Sequence, residues 1–427
     1  MAVVLAMFDD CDDSERWPPY SISTVEAGNE HREVEKATTK LENLPLPLIH
    51  HIMDSLSSKD STKFSILSKT FNSSWLTYPV LNFDNALFPI QHPHAFKAFV
   101  HRTFQLRAPH ILGCLDKLRF CYKVHLCFFF YDFKPLVTEL LYFASHNNCK
   151  VLDFEVDMIV SQSLSIPYNA LHPMLSSKFL TTLKLSGFTL LIPDLLITCP
   201  ALKLLSITFF DVPGKCIVSE ALTGVATKIL HVRCCNLAKN MKIYNPNMEI
   251  LQLENCGVVE NLVVSAPNIE YFEFSRGFWG QSSAIDISAC ACLTLLALEG
   301  AIIMDGTDIS KRVCVENMVS PLHDVKHVIV KMGDILRGHT IPSLVESLLW
   351  LALKPDILTL ESSFKRKKST IKFKYRWNAQ KMDKEEDNCC IGLLIKCWRH
   401  YDLHIEYEGF DDNNGGNQLR EFFASCL

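Results

Sequence analysis

Residues 245–275 read NPNMEILQLENCGVVENLVVSAPNIEYFEFS and contain one pattern twice. In MEILQL (248–253) and IEYFEF (269–274), apolar residues stand at the first, fourth and sixth positions, and Pro-Asn precedes each run. Pro and Asn favour a turn, and the alternation that follows them predicts a strand. Because the turn and the strand recur after 21 residues, the sequence predicts a repeat architecture.

The same pattern recurs along most of the chain. It is found in LDKLRF (115–120), CKVLDF (149–154), LTTLKL (180–185), LKLLSI (202–207), TKILHV (227–232), LTLLAL (293–298), VKHVIV (325–330) and ILTLES (357–362) as well. Periods of this length with this leucine spacing resemble irregular leucine-rich repeats. The resemblance implies an α/β solenoid over residues 111–363, with a parallel sheet on its concave face and helices or loops outside. The alternative is an ordinary α/β domain with apolar strands.

A different organisation precedes the repeats, in LENLPLPLIHHIMDSLSSKDSTKFSILSKTFNSSW (41–75). Leu48, Ile49, Ile52 and Leu56 fall at helical spacing, and SSKDS (57–61) then offers caps for a second helix. Apolar spacing continues to Trp75, which predicts three short helices. Spacing alone leaves two interpretations open: a cap on a larger domain, or a helical module that completes its core against a partner.

The ordered residues of this segment resemble an F-box. The matching positions are Leu44, Pro45, Ile49, Ile52, Leu56, Lys59, Asp60, Leu67, Ser68, Lys69 and Trp75. Thr70-Phe71 stand where the family often has Arg-Trp. The resemblance implies a three-helix F-box at 39–82 that docks on a Skp-family adaptor and, through it, on cullin. The implied adaptor-binding residues are Leu44, Pro45, Ile49, Ile52, Leu56, Lys59, Asp60, Leu67 and Trp75.

The remaining segments are predicted from their composition and from one weaker resemblance. Residues 1–38 are acidic and lack periodicity, so we expect a disordered arm. Residues 83–110 are assigned as a linker. CWRHYDLHIEYEGF (397–410) and QLREFF (418–423) are similar to the end of the FBD domain, which implies a small C-terminal cap at 364–427.

Composition excludes several classes of function. The 427 residues are 48% hydrophobic with a formal net charge of −5, which argues against a nucleic-acid-binding protein. No apolar run reaches the roughly 18 residues that a membrane span requires. With no secretory signal predicted, the 17 cysteines are expected to be reduced thiols in a soluble protein of the cytoplasm or nucleus.

Motifs of catalysis are missing from the sequence. It contains no phosphate-binding glycine loop, no G-x-S-x-G and no C-x-x-C. Cys290 and Cys292 are interpreted as core residues, so no metal or other cofactor is predicted. We therefore expect a non-catalytic protein, which the F-box resemblance makes the substrate-recognition subunit of a cullin-type (SCF) E3 ubiquitin ligase. The alternative is an interaction scaffold of leucine-rich repeats that has no part in ubiquitination.

Strand alternation predicts where an unknown protein substrate would bind. Residues flanking and between the buried strand positions face the opposite side of the sheet. The repeats at 248–254, 269–275 and 293–299 have the most regular spacing, so we expect them to form the flattest exposed surface. The candidate substrate-binding residues are Ile250, Gln252, Glu254, Tyr271, Glu273, Leu295 and Glu299. Tyr271 is the expected hot spot, for a partner with an apolar residue near Lys or Arg. The apolar column could instead pack under outer loops.

Overall fold

The computed structural model divides into two compact units, Met1–Cys149 and Lys150–Leu427. The arm predicted at 1–38 lies outside the described residues. The described residues are 41–88, 93–124, 133–158, 164–166, 168–190, 199–209, 227–233, 240–256, 259–276, 284–287, 289–299, 322, 324–332, 341–362, 368–378, 397–410 and 416–426.

The chain is mixed α/β, with helices first and a large, mainly parallel sheet after them. The described helices are α1 (Leu46–Asp54), α2 (Ser58–Ile66), α3 (Lys69–Thr77), α4 (Pro93–Arg107), α5 (Lys134–His146), α6 (Tyr168–Leu175), α7 (Ile341–Leu351) and α8 (Gly416–Cys426). Short 3-10 turns lie at Leu41–Asn43, Asn85–Leu87, Ala108–His110 and Trp398–His400. Within the described part of the chain, no helix has the length and apolar character needed to cross a membrane.

Seventeen described strands complete the secondary structure. They are β1 (Val80–Asp84), β2 (Lys117–Val124), β3 (Val151–Met158), β4 (Leu164–Ile166), β5 (Thr182–Leu190), β6 (Leu204–Phe209), β7 (Ile229–Arg233), β8 (Asn240–Tyr244), β9 (Ile250–Cys256), β10 (Asn261–Ser265), β11 (Tyr271–Arg276), β12 (Ala284–Asp286), β13 (Leu295–Glu299), β14 (His327–Met332), β15 (Ile357–Ser362), β16 (Lys368–Trp377) and β17 (Tyr401–Glu408).

The first unit extends the three N-terminal helices with α4, α5 and the parallel pair β1–β2. Helix α4 lies in residues 83–110, the segment predicted as a linker. Its Phe96, Phe99 and Phe104 are buried, and the Phe96 ring packs on other aromatic side chains such as that of Tyr122. The linker assignment is therefore wrong, because the apolar face of this helix belongs to the core of the unit.

The second unit is built on one large sheet. Its strands follow the order β3-β5-β6-β7-β9-β11-β13-β14-β15, and neighbours pair in parallel, with β4 added beside β5. Strands β16 and β17 then continue the sheet in antiparallel fashion. The change of direction falls between Ser362 and Lys368, close to the predicted start of the cap.

A repeated backbone contact aligns the parallel strands. The carbonyl oxygen before β3, that of Lys150, accepts the N–H groups of both Thr181 and Thr182, at 2.8 and 3.1 Å. The same two-donor contact occurs at every following junction. Its other acceptors are Thr181, Lys203, Lys228, Glu249, Glu270, Thr294 and Lys326. Each strand therefore starts at an equivalent point, and its two buried apolar positions align with those of its neighbours.

The last predicted repeat needs a shift of register. The sequence pattern places its first residue at Ile357, in ILTLES (357–362). However, Val328 is the fourth residue of the preceding repeat, VKHVIV (325–330), and it pairs with Leu358 of β15, so Leu358 is the fourth residue of the last repeat. The repeat therefore begins at Pro355, and this buried proline takes the place of the first apolar residue. A proline at this point is typical of the preceding turn, which is why the sequence pattern places the repeat two residues late.

The segments that connect one strand of the large sheet to the next, which we call returns, differ in structure along the sheet. Between β7 and β13 they carry β8, β10 and β12, which form a separate parallel sheet in the order β12-β10-β8. Helices α6 and α7 instead lie on the returns that precede β5 and β15. The expectation of helices or loops on the outer side therefore holds only for part of the chain, since the shortest returns, about 20 residues per repeat, also form strands.

The C-terminal cap covers the end of the sheet with a hairpin and a helix. Strands β16 and β17 pair over eight residues, and Lys374 forms an ion pair with Glu406 across them at 2.5 Å. The buried Phe423 of α8 contacts the ring of Phe373, with ring centroids 5.8 Å apart. The cap therefore shields the buried face of β16.

Gly187 is the tightest backbone position of the sheet. It lies at a register shift in β5 with φ of +81°, and a Cβ there would come 1.5 Å from the carbonyl oxygen of Val156. Only glycine can occupy this position without moving the neighbouring strand β3.

We predict that Gly187→Ala lowers the free energy of unfolding of the second unit by about 3 kcal/mol, because left-handed strain and a backbone clash act together. Gly113→Ala is the matched control. Gly113 has φ of +72°, but no atom lies within 4 Å of the point that a Cβ would occupy, so this change should cost only about 1 kcal/mol. Urea unfolding of both full-length variants measures the difference. Equal losses would contradict the role assigned to the contact with Val156.

Candidate functional site

The N-terminal helices are fixed by caps and by a small core. The hydroxyl of Ser57 accepts the N–H of Asp60 at the start of α2, and that of Ser68 accepts the N–H of Phe71 at the start of α3. Pro45 precedes α1, where a missing N–H costs nothing. The core consists of Ile49, Met53, Phe71, Trp75 and Tyr78.

Two of the predicted adaptor-binding residues belong to this core. Ile49 and Trp75 are each only 1% exposed, so they stabilise the domain and are not available to a partner in this conformation. Helical spacing groups Ile49 with Leu48 and Ile52 on one face. The structure separates them: Ile49 and Met53 point inward, Ile52 is half-buried, and Leu48 is exposed.

The remaining predicted residues lie at the surface or at its edge. Leu44 and Leu56 are half-buried, Pro45 is exposed, and Leu67 is 70% exposed. The ammonium of Lys59 lies 5.4 Å from the ring centroid of Phe88. These residues surround the inner core without joining it.

Asp60 has a local structural role. It accepts a hydrogen bond from the Ser57 hydroxyl at 2.7 Å and lies 3.5 Å from the ammonium of Lys63. The hydrogen bond from Ser57 is the main reason that the pKa of Asp60 is below its ordinary value. Asp60 therefore reinforces the cap of α2 through its own side chain.

Sequence reasoning missed three exposed apolar residues of this region. Leu41, Leu46 and Leu48 are 57%, 47% and 51% exposed, and none of them is among the predicted adaptor-binding residues. The available signal was an excess of leucine over the number that one helical stripe requires. We call these three residues and the exposed Leu67 the leucine surface.

The second candidate site lies on the sheet of the second unit. Pairing places Ile250, Tyr271 and Leu295 in one row, and Gln252, Glu273 and Ala297 in the next. We call the side of the sheet that carries these rows the column face. The predicted substrate-binding residues of β9, β11 and β13 are therefore brought together in the expected order.

Glu273 differs from the exposed carboxylate that the sequence predicts. Its side chain is only 3% exposed and forms an ion pair with Lys331 of β14. The other oxygen accepts hydrogen bonds from Gln252 Nε2 at 2.8 Å and from the Tyr271 hydroxyl at 2.5 Å. The intervening residue on β13 is Ala297, whose small side chain leaves room for Lys331 to reach across.

This network sets the charge of the column face. Burial favours the neutral acid, but hydrogen bonds from Lys331, Tyr271 and Gln252 outweigh it, so the pKa of Glu273 lies below its ordinary value. Burial, then the bond to Glu273, raises the pKa of Tyr271 far above its usual range. Glu273 is thus an ionised, neutralised carboxylate, and Tyr271 presents its ring while its hydroxyl is occupied.

Of the other predicted carboxylates, that of Glu254 lies beside a cation. Glu254 Oε2 is 3.4 Å from Arg233 Nε. The backbone of Glu299 pairs with Lys331 of the next strand, while its side chain lies outside the described part. At this position β14 contributes a lysine where β9 and β13 contribute the glutamates Glu254 and Glu299.

The rows extend beyond the three strands to which the sequence assigns them. His327 and Ile357 continue the row of Tyr271, and Thr359 continues that of Glu273. The His327 ring nitrogen Nε2 lies 2.9 Å from the Thr359 hydroxyl. Burial, then the nearby charge of Lys368, lowers the pKa of His327. Registration of the last repeat at Pro355 would have revealed Ile357 and Thr359, and the repeat at 325–330 already contains His327.

Neither candidate site has the side chains of a metal centre. Within the described ranges, no three His, Cys, Asp or Glu side chains are grouped so that they could hold an ion.

Comparison with known proteins supports the sequence assignment at the N-terminus. Residues 41–82 match the F-box domain family. This range covers α1 to α3 and the start of β1, so the matched family segment coincides with the helices whose core is described above.

Three relatives from Arabidopsis thaliana are similar to about two fifths of the chain. An FBD-associated F-box protein is 26% identical over 43% of this chain and 47% of its own length. A second FBD-associated F-box protein is 28% identical, over 43% and 42% respectively. An F-box/FBD/LRR-repeat protein is 24% identical, over 40% and 36%. The chain thus aligns with less than half the length of each relative. The domain match and these relatives together support a plant F-box/FBD/LRR-repeat family for the matched part of the chain.

Proposed function

We propose that this chain is the substrate-recognition subunit of a cullin-type (SCF) E3 ubiquitin ligase. The single observation that carries the proposal is the F-box match at 41–82, since F-box proteins generally act as substrate adaptors in such ligases. F-box/FBD/LRR proteins are typically non-catalytic adaptors, and we propose the same for this chain, with ubiquitin transfer left to other subunits. We further propose that it acts in the cytoplasm or nucleus.

The F-box would bind a Skp-family adaptor, and cullin through it. The leucine surface supports this proposal, because Leu46, Leu48 and Leu67 are exposed and none of them belongs to the domain's own core. Ile52 follows Leu48 by one helical turn and is half-buried. We therefore propose an adaptor contact centred on Leu48 and Ile52, flanked by Leu44, Pro45 and Leu67.

The large sheet would bind the substrate. We infer that its repeating units are irregular leucine-rich repeats, which is supported by the aligned buried positions and by the turn before each strand. The column face offers an aromatic ring, Tyr271, between the apolar side chains of Ile250 and Leu295. Aromatic residues held by neighbouring hydrogen bonds are favoured as interface hot spots, because little entropy is lost on binding.

We predict that Ile52→Asp weakens binding to a Skp-family adaptor by about 100-fold or more, because a carboxylate would be buried in an apolar contact. Leu56→Asp is less informative, because Leu56 also lines an internal cavity. Leu112→Asp is the matched control, since Leu112 is exposed and lies outside the F-box. Surface plasmon resonance with the full-length variants measures the affinities.

The alternative function, a repeat scaffold outside ubiquitination, predicts a different outcome. It requires that the wild-type chain bind no Skp-family adaptor at all. Wild-type affinity retained by both Ile52→Asp and Leu48→Asp would instead move the adaptor contact away from the leucine surface.

We predict that Tyr271→Ala speeds dissociation of the substrate by about 30-fold, because an interface hot spot contributes about 2 kcal/mol. Tyr271→Phe should have a much smaller effect, since it removes only the hydroxyl that is bonded to Glu273. The substrate is first trapped on the full-length Ile52→Asp chain, and the dissociation rates of the Tyr271 variants are then measured with the purified substrate.

Tyr244→Ala provides the matched control for this measurement. Tyr244 is an exposed tyrosine on β8, in the smaller sheet, so its loss should leave the dissociation rate unchanged. Glu254→Lys should mainly slow association and reduce its salt dependence, since it reverses a half-exposed charge. A substrate that leaves wild type and Tyr271→Ala at equal rates binds somewhere other than the column face.

A further inference from the structure

The first unit contains a cavity of about 140 Å³ that the proposed function does not use. It lies where α2 and α3 of the F-box meet β1 and the end of α4. This volume corresponds to about five water molecules. Its polar lining combines Ser58, Ser61, Asn82, Thr103 and Arg107, with Asp54, Thr62, Tyr78 and Lys117 also contributing.

Arg107 is the buried cation of this cavity. Its side chain is 4% exposed, and one guanidinium nitrogen donates a hydrogen bond to the carbonyl oxygen of Tyr78. The guanidinium carbon lies 5.1 Å from the ring centroid of Trp75 and 5.6 Å from that of Tyr78. Within the described residues, Nε has no hydrogen-bond partner and no carboxylate forms an ion pair with the group.

The charge of Arg107 is therefore poorly compensated by the protein. Burial lowers its pKa to about 9. Asp54 lines the same cavity, but it is exposed and its Oδ1 accepts the hydroxyl hydrogen of Tyr78. A buried guanidinium that lacks a counter-charge costs free energy, which a bound anion would offset.

Three hydroxyl groups add donors to the same space. Ser58 Oγ, Ser61 Oγ and Thr103 Oγ1 are buried, and none has a hydrogen-bond partner among the described residues. Thr62 differs, because its hydroxyl already donates to the carbonyl oxygen of Ser58. Since most buried polar groups in proteins are hydrogen-bonded, so many unbonded groups around one cavity indicate a polar ligand.

Asn82 narrows the class of ligand. Its Oδ1 is buried without a partner in the described part of the chain, and an amide oxygen can only accept. The ligand must therefore accept several hydrogen bonds and donate one of its own. A phosphate group at neutral pH meets both requirements, because it carries negative charge and keeps a hydroxyl as inorganic phosphate. Sulfate has the same shape but no hydrogen to give.

We propose that this cavity binds a single protonated phosphate group, held by Arg107, Ser58, Ser61 and Thr103 and donating to Asn82. The ligand would contact α2 and α4 together, and so would fix the F-box helices to the segment that follows them. Free inorganic phosphate keeps this hydroxyl at neutral pH, whereas the phosphoryl group of a phosphoserine residue, whose second pKa is about 6, has mostly lost it.

The test uses the full-length chain in four solutions of equal ionic strength, each with a different ligand. Thermal unfolding and isothermal titration are measured with inorganic phosphate, a phosphoserine peptide, sulfate and chloride. We expect saturable 1:1 binding of phosphate and a rise of a few degrees in the unfolding midpoint, with weaker binding of sulfate. Binding of the peptide but not of inorganic phosphate would overturn the proposal, because a phosphomonoester at neutral pH has mostly lost the hydrogen that Asn82 would accept.

Substitutions of the lining residues test whether phosphate binds in this cavity. Ser61→Ala and Thr103→Val should each lower phosphate affinity about 10-fold, because each removes a hydrogen bond to a charged group. Without phosphate neither should lower the unfolding midpoint by more than about a degree, since the hydroxyl lost has no described partner. Arg107→Gln should lower phosphate affinity about 100-fold.

Ser65→Ala is the matched control on the same helix. Ser65 is buried and its hydroxyl donates to the carbonyl oxygen of Thr62 at 2.7 Å, away from the cavity. This variant should lose stability and keep wild-type phosphate affinity. If Arg107→Gln does not fold, the two hydroxyl variants and Ser65→Ala still decide the question. Phosphate and chloride with equal effects, sulfate binding as tightly as phosphate, or wild-type affinity in Ser61→Ala and Thr103→Val would each overturn the proposal.

Discussion

The sheet of the second unit depends on one repeated contact, in which the carbonyl oxygen before a strand accepts two N–H groups from the start of the next. This contact brings Lys150, Thr181 and Lys203 into line, and then each later equivalent. A shift of one residue would turn every buried leucine toward the opposite face. The contact and the burial of the apolar positions therefore reinforce each other, and the same register extends from β3 to β15.

Fixed register has a consequence for the other side of the sheet. Residues that are 21 or more positions apart become neighbours, so polar groups with no local partner can satisfy each other. Glu273 illustrates this, because its three donors come from its own strand and from strands on both sides. The result is a carboxylate that organises its surroundings, with the ring of Tyr271 held beside it.

The F-box is stabilised differently from the large sheet, by a small core of side chains. Three helices of nine residues each cannot bury much, and here Ile49, Trp75 and a few neighbours form the entire core. The apolar residues left over remain exposed at Leu46 and Leu48. Arg107 adds a further contribution from outside the domain, since its guanidinium packs on the ring of Trp75. A small core that needs contacts from the following helix explains why α4 is part of the same compact unit.

The sequence by itself determined the features that depend on local spacing. Leucine periodicity predicted the positions of β2, β3, β5, β6, β7, β9, β11, β13, β14 and β15 but not those of β1, β4, β8, β10 and β12. Ser57, within SSKDS (57–61), was recognisable as a helix cap because capping acts over three residues. The rows of the column face followed from the same periodicity.

Only the tertiary structure decided which distant groups meet. Periodicity could not reveal that α4 packs into the core, that Lys331 neutralises Glu273, or that Arg107 is buried beside hydroxyls without described partners. Those outcomes depend on which side chains the fold brings within a few ångströms, and on how far burial removes them from water. Sequence spacing carries no information on either quantity, because both arise from residues far apart in the chain.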